Sequence, residues 1–380
     1  MSGRNANGVT ISDVAAAAGV SRQTVSNVLN APARVAPETA ERVRQAIELL
    51  GYRPNRAAQN LRERASRCIG LKIAAPIGVS NFLDRFLYAL TSAAGAAGYH
   101  LLLFAPTAVD EELAVYEDLI RTGTVDGFVL ADVSAKDRRL PWFAERRIPF
   151  VCFGRPWGQE NGPYTWVDVD GAYGIEQAVD HLVVRRHQRI AYLGWPEGTG
   201  FGDERRKGWL RAMERHGLPV DGLIGVCAEG VAVAAEAAER LMRSPTPPTA
   251  FVCGSDTHAV GARLAGGLDA DGRPRVEVVG FDDSPAATLI SPRMSSIRQP
   301  LDEVAHRVVG LLKARVQGSD SPPEGVMLRP ELVARELRRP TSDPCSEQPR
   351  GWSKGGIHIE DGPLDRRRDE RRGDGRRVWR

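Results

Sequence analysis

The sequence has few of the features that mark secreted, membrane-bound or metal-binding proteins. Its five cysteines are scattered singly along 380 residues, and none stands in a Cys-x-x-Cys pair or near histidine at metal-ligand spacing. The opening MSGRNANGVTISDV lacks the apolar core of a signal peptide, and no stretch approaches the roughly 18 apolar residues of a membrane span. These absences predict a reduced, cytoplasmic protein that has no metal site and no membrane partner.

Motifs of common enzyme classes are missing as well. There is no G-x-S-x-G elbow, no G-x-x-x-x-G-K-[ST] loop and no G-x-G-x-x-G after an apolar run. We therefore expect a protein that is not an enzyme and needs no cofactor. The net charge is only +3, from 51 basic and 48 acidic residues, so any nucleic-acid site must come from local clustering of charge.

Two regions with different apolar patterns follow one another along the chain. Residues 1–52 are helical in pattern, which predicts a small all-helical module. From 68 to 340, short apolar runs such as IGLKIAA, GFVLAD and VEVVGF alternate with amphipathic stretches. Buried runs separated by helices predict an α/β body of parallel sheets. Because these runs are too many for one comfortable sheet, we expect two similar lobes with a cleft between them.

Residues 341–380 form a third region, rich in Pro, Gly and Arg. The stretch DRRRDERRGDGRR mixes both signs of charge, and it has almost no apolar periodicity. Such a segment cannot bury enough surface to offset its ordering entropy, which predicts a disordered tail. Its arginines could attract DNA, although the interspersed acids favour a passive extension.

The first module has the helix signals of a helix-turn-helix. Thr10 with Asp13 three residues later is an N-cap with an acidic partner, and Gly19 ends the helix that follows. Ser21 is a second N-cap. A third helix begins near Pro37, a residue favoured at the first helical position, and its apolar face can cover the other two.

The second helix carries polar residues suited to reading DNA. Arg22 and Gln23 lie at its N-terminal end, where such helices meet base edges, and Asn27 follows one turn later. Arg pairs with guanine and Gln or Asn with adenine, each with about 1–3 kcal/mol of discrimination. In isolation, the same residues could be a solvated face of a small helical bundle.

The first module resembles the DNA-binding headpiece of the lactose-repressor (LacI/GalR) family almost position by position. The resemblance is carried by VTISDVAAAAGVSRQTVSNVLN and, after it, by VAPETAERVRQAIELLGYRPNRAAQNL. The resemblance implies a transcriptional repressor in which Arg22, Gln23 and Asn27 read bases of a pseudo-palindromic operator. Asn27 stands where several family members carry Arg, so their half-site cannot be transferred. The resemblance also assigns phosphate contacts to Thr10, Ser21, Thr24, Ser26, Asn30, Tyr52 and Asn55.

Residues 53–67 follow as a linker, and RPNRAAQNL within them resembles the hinge helix of the family. A helix this short is marginal alone in water. The resemblance implies that two hinge helices pair on DNA in a homodimer, with Arg56 and Leu61 at the minor groove. An apolar wedge there unstacks a base step and bends the duplex. Taken by itself, Leu61 could also be an ordinary helix-packing leucine.

The body resembles the periplasmic-binding-protein-like core of the same family. GWPEGTGFGDERRKGW, FVCGSDTHAVGA and VVGFDDSP follow apolar runs, and ligands of open α/β lobes bind beyond the carboxyl ends of strands. The resemblance implies a small-molecule effector between the lobes, most often a mono- or disaccharide, held by Arg205 and Asp282. Ser255 stands where many members have Asn, and Arg155 is a further candidate. A purine or other metabolite is the alternative.

Aromatic side chains near these loops could stack on a sugar ring. We select Trp195, after the run RIAYLG, and Phe82, which we expect in the loop after the first strand. Trp209 is a third candidate, with core packing an equal alternative for each aromatic. Adjacent carboxylates at 282 and 283 could instead bind a metal, but no further ligand is in evidence. Asp168 and Asp170 lie at the expected lobe crossing, where they either join the lobes or touch ligand.

Two other classes of protein remain as rivals. A transport-type sugar-binding protein would share the body, but it would need a signal peptide and would have no use for the headpiece. A hydrolase could be built on an α/β body, but the fold alone does not decide function. The expected mechanism is that effector binding shifts the lobe angle, separates the hinge helices and releases DNA. A co-repressor would instead tighten binding.

Overall fold

The computed structural model describes residues 8–53, 65–73, 81–106 and 111–335. The predictions for Asn55, Arg56 and Leu61 in the hinge, and for the tail 341–380, lie outside these ranges. None of the helices within the described ranges combines the length and the apolar composition needed to cross a membrane.

The headpiece consists of three helices. They are α1 (Ile11–Ala18), α2 (Arg22–Asn30) and α3 (Pro37–Leu50), with a short 3₁₀ turn over Pro32–Arg34. Val14, Val25 and Val43, one from each helix, are fully buried against one another. This small core fixes how α1 and α2 meet, as the apolar spacing predicts.

The turn between α1 and α2 is set by the residues that the sequence marks. The Thr10 hydroxyl and backbone N–H both donate to the Asp13 carboxylate, at 2.8 and 2.7 Å. Gly19 adopts a left-handed φ of 64° and closes α1, a conformation that costs a residue with a Cβ. The Ser21 Oγ accepts from the Thr24 N–H at 3.1 Å and caps α2.

The described part of the body contains twelve strands. In chain order they are β1 (Cys68–Lys72), β2 (His100–Phe104), β3 (Gly127–Leu130), β4 (Phe150–Phe153), β5 (Trp166–Val169), β6 (Ile190–Gly194), β7 (Ile224–Val226), β8 (Ala250–Cys253), β9 (Glu277–Phe281), β10 (Ser295–Arg298), β11 (Gly325–Leu328) and β12 (Glu331–Val333). The helices of the body are α4 (Asn81–Ala96), α5 (Glu112–Arg121), α6 (Arg139–Glu145), α7 (Gly171–Val184), α8 (Phe201–Arg215), α9 (Val231–Met242), α10 (Asp256–Gly266), α11 (Ala286–Leu289) and α12 (Leu301–Val316).

The strands form two six-stranded sheets with corresponding orders. Lobe 1 has the order β11-β5-β4-β3-β1-β2, and lobe 2 has β12-β10-β9-β8-β6-β7. All pairings are parallel except that of β10 with β12. The chain passes between lobes three times: after β5, after β10 and between β11 and β12. These observations confirm the predicted fold class of a helical headpiece and a two-lobed parallel α/β body.

Each lobe has its own apolar core. Strands β3, β6, β8 and β9 are buried along their whole length, as their continuous apolar runs predict. Helix α12 follows β10 of lobe 2 but packs into the core of lobe 1 through Val304, Val308 and Leu312. Lobe 1 is therefore completed by chain that comes after most of lobe 2.

Candidate ligand site and nucleic-acid interface

A cavity of about 310 Å³ lies between the two lobes. Residues at or just beyond the carboxyl ends of β1, β3, β4 and β5 line it from lobe 1, and those of β6, β8 and β9 line it from lobe 2. This is where parallel α/β sheets bind ligands, and the volume lies in the range of small-molecule sites. The lining includes five of the six predicted effector residues, namely Phe82, Trp195, Arg205, Ser255 and Asp282, but not Arg155.

Arg205 reaches this cavity from α8. Its Nη1 donates to the Gly254 carbonyl at 2.6 Å, and its guanidinium lies 3.7 Å from the centre of the Phe281 ring. The buried Nε has no hydrogen-bond partner among the described residues. Buried donors are normally paired, so this N–H marks a position beside the cavity at which a hydrogen-bond partner is missing.

Asp282 follows β9 with its carboxyl group buried at the cavity. Burial raises the pKa of this carboxyl to about 7, although the Arg205 charge and the Gln299 hydrogen bond act in the opposite direction. Gln299 Nε2 donates to Asp282 Oδ1 at 2.7 Å. The backbone at Asp282 has a φ of 105°, a region that side chains with a Cβ rarely adopt. The surrounding structure must therefore hold this residue in place.

Two groups anchor the strained loop that carries Asp282. Asp256 accepts from the Ser284 N–H and the Ser296 hydroxyl, each at 2.6 Å, and burial raises the pKa of its carboxyl to about 6. From lobe 1, Arg85 Nη1 donates to the carbonyls of Asp282 and Asp283, each at 3.0 Å. The loop is thus fixed from within lobe 2 and also tied to α4 of lobe 1.

The neighbouring Asp283 carboxylate is neutralised by arginines. Arg298 Nε donates to its Oδ2 at 2.7 Å, and Arg335 Nη2 pairs with its Oδ1. Asp283 is absent from the cavity lining, whereas Asp282 is part of it. This arrangement disfavours the alternative of a cation bound between the two carboxylates.

Ser255 lines the cavity, but its hydroxyl is already engaged. It accepts from the His258 N–H at 3.2 Å and so caps α10, and it donates to Glu229 Oε1 at 3.0 Å. The His258 ring is fully buried, and this burial lowers its pKa. Glu229 also lines the cavity, but the sequence does not single it out, because it stands alone after the short strand β7.

Arg155 joins the two lobes. Its Nε donates to Asp168 Oδ2 at 2.8 Å, at the end of β5 in lobe 1, and its Nη2 pairs with Glu204 on α8 of lobe 2. We call these three residues the Arg155 clasp. Burial raises the pKa of the Asp168 carboxyl, although the Arg155 charge acts against the rise. Arg155 is therefore paired on both sides at the cavity rather than free for a ligand.

The two aspartates at the lobe crossing have different roles. Asp168 belongs to the Arg155 clasp and lines the cavity. Asp170 instead caps α7, because its Oδ1 accepts from the Tyr173 N–H at 2.9 Å. Asp168 therefore takes part in joining the lobes through Arg155 and lines the ligand space; its contact with a ligand stays a prediction.

Aromatic rings line the cavity from both lobes. In lobe 1, Phe153 stacks on Phe86 and Phe82, with ring centres 4.4 and 6.0 Å apart. The expectation that Phe82 lies in a loop is wrong: it occupies the first turn of α4, because helical periodicity begins at the residue before it. In lobe 2, Trp195 packs edge-on against Phe201 at 4.9 Å.

Two further tryptophans, Trp209 and Trp157, lie in different environments. Trp209 is fully buried in the core of lobe 2 and does not line the cavity, so the core-packing alternative is correct for it. Trp157, from the loop after β4, does line the cavity and lies under the Arg155 guanidinium at 4.6 Å. A Cβ at Gly200 of lobe 2 would lie 2.4 Å from its ring. The sequence analysis did not select Trp157, although its position just after a buried apolar run could have indicated it.

Helix α2 presents the predicted base-reading residues at its surface. Arg22 and Gln23 are exposed, and Asn27 is half-buried. Gln23 Nε2 donates to Asn27 Oδ1 at 3.0 Å, so these two amides form one unit. Their remaining donors and acceptors are those that pair with a base edge.

The predicted phosphate-binding groups surround the same helix. Ser21 and Thr24 share a hydrogen bond of 2.9 Å at its N-terminus, where backbone N–H groups favour anions. Asn30 donates to the Ser26 carbonyl at 2.9 Å near its C-terminus. Tyr52 packs against the headpiece core, and burial raises the pKa of its hydroxyl.

Comparisons with known proteins agree with this architecture. Residues 10–55 match the family described as bacterial regulatory proteins, lacI family. Residues 179–336 match the periplasmic binding protein-like domain. The second match falls on lobe 2 and the crossing segments, and the first on the three headpiece helices.

Three relatives align over most of the chain. The transcriptional regulator AglR of Rhizobium meliloti (strain 1021) is 33% identical over 352 residues, which are 88% of this chain and 96% of AglR. The regulator CelR of Thermobifida fusca is 32% identical over 338 residues, 86% of this chain and 97% of CelR. The repressor PurR of Escherichia coli (strain SMS-3-5 / SECEC) is 28% identical, over 86% of this chain and 96% of PurR.

Solved structures match the fold over a similar length. The complex of CelR with cellobiose has a TM-score of 0.65 and 29% identity, over 87% of this chain and all of that one. The lac repressor dimer bound to operator has a TM-score of 0.70 over 87% of this chain and 98% of that one, with 24% identity, and supports the fold alone. Together with the matched headpiece and the long alignments to AglR and CelR, these findings show that the chain belongs to the lacI family of DNA-binding transcriptional regulators, which are not enzymes.

Proposed function

We propose that the protein is a cytoplasmic, homodimeric repressor that leaves its operator when a saccharide binds between the two lobes. The observation that carries the proposal is the unpartnered Nε of Arg205 beside the buried Asp282. One offers a donor and the other an acceptor to sugar hydroxyls. Aromatic rings from both lobes can cover the C–H faces of a pyranose ring.

The relatives favour a saccharide over other metabolites. The CelR structure is a complex with cellobiose, and CelR is among the relatives above 30% identity. PurR is less similar, at 28%. A cavity of about 310 Å³ is in the range of a small-molecule site, so a mono- or disaccharide is the proposed effector.

For the headpiece, we propose that Arg22, Gln23 and Asn27 contact bases in the major groove. Both ends of α2 carry hydroxyl and amide groups placed for phosphates, which position a duplex without reading its sequence. The proposed phosphate contacts are Thr10, Ser21, Thr24, Ser26, Asn30, Tyr52 and Asn55. Arg56 and Leu61, outside the described residues, are the proposed minor-groove contacts.

A second copy of the chain is the proposed partner in the dimer. The corresponding outer strands of the two sheets, β2 and β7, carry the exposed apolar residues Leu103, Ile224 and Val226. Exposed apolar groups on sheet edges mark surfaces that associate. The lac repressor of similar fold is a dimer on its operator. A two-fold arrangement of this chain fits a pseudo-palindromic site.

The test is release of DNA by candidate effectors. An operator selected from random duplexes with the full-length protein is labelled, and its fluorescence anisotropy is followed at one fixed salt concentration. We expect at least one saccharide, from a panel that includes cellobiose, maltose and glucose, to lower the anisotropy. A response to adenine, guanine or hypoxanthine alone would overturn the saccharide proposal. Tighter DNA binding with saccharide would overturn release and indicate a co-repressor.

A further inference from the structure

The cavity between the lobes carries more negative than positive side chains. Two cations line it, namely Lys72 and Arg205. Five carboxylates line it as well, namely Asp132, Asp168, Glu204, Glu229 and Asp282. The formal charge of the lining is therefore negative, so any further anion brought into this space would meet net repulsion.

Both of these cations, and the nearby Arg155, already face acidic groups. Lys72 Nζ lies 2.8 Å from Glu112 Oε1. Arg155 is held between Asp168 and Glu204 in the clasp. Arg205 is close enough to Asp282 for its charge to lower the pKa of that carboxyl. An anionic ligand would have to compete with these carboxylates for their cations, between two lobes where charges are screened less than on an open surface.

Glu229 is a lining carboxylate that has no Lys or Arg within ion-pair range among the described residues. Its oxygens accept from the Ser255 hydroxyl at 3.0 and 3.2 Å. The nearest basic group within ion-pair range in the described chain is His258 Nδ1, at 3.6 Å. Burial lowers the pKa of that imidazole and so disfavours its charged form. The Glu229 side chain is 29% exposed, toward the cavity that it lines.

We infer that the effector is a saccharide without negative charge, and that Glu229 is a specificity-determining residue that rejects sugars carrying a carboxylate or a phosphate. The inference rests on the proposed function, since it concerns the saccharide bound at that site. A neutral sugar donates hydroxyl hydrogens to the carboxylates of the lining. A uronate or sugar phosphate places its own oxyanion against them instead.

The test compares neutral sugars with acidic counterparts of the same ring configuration. Binding to the full-length protein is measured by calorimetry at pH 7.5 for glucose against glucuronate and glucose 6-phosphate, for galactose against galacturonate, and for cellobiose against its uronate, cellobiouronate. We expect each anionic sugar to bind at least about tenfold more weakly than the neutral one it matches, since like-charge contacts cost several-fold or more in affinity.

The possible failures are distinguishable. An anionic sugar that binds more tightly than its neutral counterpart and releases DNA would overturn this inference, while the proposed saccharide control would stand. If no sugar of either class binds and a nucleobase does, both proposals fall.

Substitution of Glu229 provides the matched test. Glu229→Gln keeps the size of the side chain and an oxygen that accepts from Ser255, so we expect the anionic sugars to gain at least about threefold relative to their neutral counterparts. Asp132→Asn is a second variant, chosen because Asp132 has a φ of 52° and Asn tolerates that conformation. We expect the same direction of change.

The control is Glu236→Gln on α9, which removes the same charge at an exposed position outside the cavity lining. It should leave the discrimination between neutral and anionic sugars unchanged. Equal discrimination in Glu229→Gln, Asp132→Asn and the unmodified protein would overturn the assignment of specificity to these carboxylates.

Discussion

Asp282 is proposed to bind the effector, and its burial also makes the stability of the protein depend on pH. In the unfolded chain the Asp282 carboxyl has its ordinary pKa of 3.8, whereas in the folded protein the pKa of this group is about 7. Between these values the folded state binds the extra proton, so the free energy of unfolding falls as the pH rises through this window and levels off above it.

We therefore predict that Asp282→Asn reduces this loss of stability. The free energy of unfolding of the unmodified protein should drop more between pH 5 and pH 8 than that of the variant, by on the order of 1 to 2 kcal/mol. Urea unfolding at the two pH values measures the difference. Asp320→Asn, at an exposed position, is the control and should follow the unmodified protein; equal pH dependence in Asp282→Asn would contradict the prediction.

The role of a single residue was predictable where the residue belongs to a sequence motif. It was not predictable where the role depends on a partner that is distant in the sequence. Arg205 and Asp282 lie in recognisable sequence motifs and do reach the cavity. The sequence could not show that Arg155 is paired with Asp168 and with Glu204, residues 13 and 49 positions away. Likewise, Glu229 is a candidate for ligand recognition only because the fold brings it to the cavity and to Ser255.

At the scale of elements, helix α2 is the one whose sequence and structure agree best. Local signals define it, because Ser21 caps its start and the apolar residues at 25 and 28 face the core. By contrast, strands β7, β10, β11 and β12 were not predicted. They are three or four residues long, and β10 reads as polar although Ser295 and Ser296 are buried. Their pairing with distant strands, rather than any local pattern, makes them strands.

The surface of α2 gives a prediction at this scale. Gln23→Ala removes an exposed amide that is hydrogen-bonded to Asn27, so we expect loss of discrimination at one base pair by about 1–3 kcal/mol, with non-specific binding nearly unchanged. Competition with operators that carry each of the four bases at every position measures it.

The matched control for this variant is Gln45→Ala on the exposed surface of α3. It should leave the sequence preference intact. A uniform loss of affinity across all sequences in Gln23→Ala would point to a positioning role for Gln23 and contradict base reading.

At the scale of the whole molecule, the two lobes are held together at the cavity by the Arg155 clasp and by Arg85. Glu204→Gln weakens the clasp without stranding Arg155, which keeps Asp168. Charge-assisted hydrogen bonds contribute about 1.5–3 kcal/mol, so we expect the variant to favour a more open lobe angle and to bind the effector roughly tenfold more weakly.

Calorimetry with the effector and small-angle X-ray scattering without it measure these two changes. Glu214→Gln lies on the exposed side of the same helix, α8, and should change neither. If Glu204→Gln keeps both the affinity and the scattering curve of the unmodified protein, the clasp does not set the lobe angle.

The three passages of the chain between lobes also govern the order in which the protein is completed during its synthesis. Strands β1 to β5 leave the ribosome first, yet α12 and β11, which belong to lobe 1, follow after β10 of lobe 2. The lobe that is begun first therefore cannot close its core until residue 328 has been made. The nascent chain carries an unfinished lobe 1 while lobe 2 is assembling. Lobe 1 is then completed by β11 and lobe 2 by β12, the last described strand to emerge.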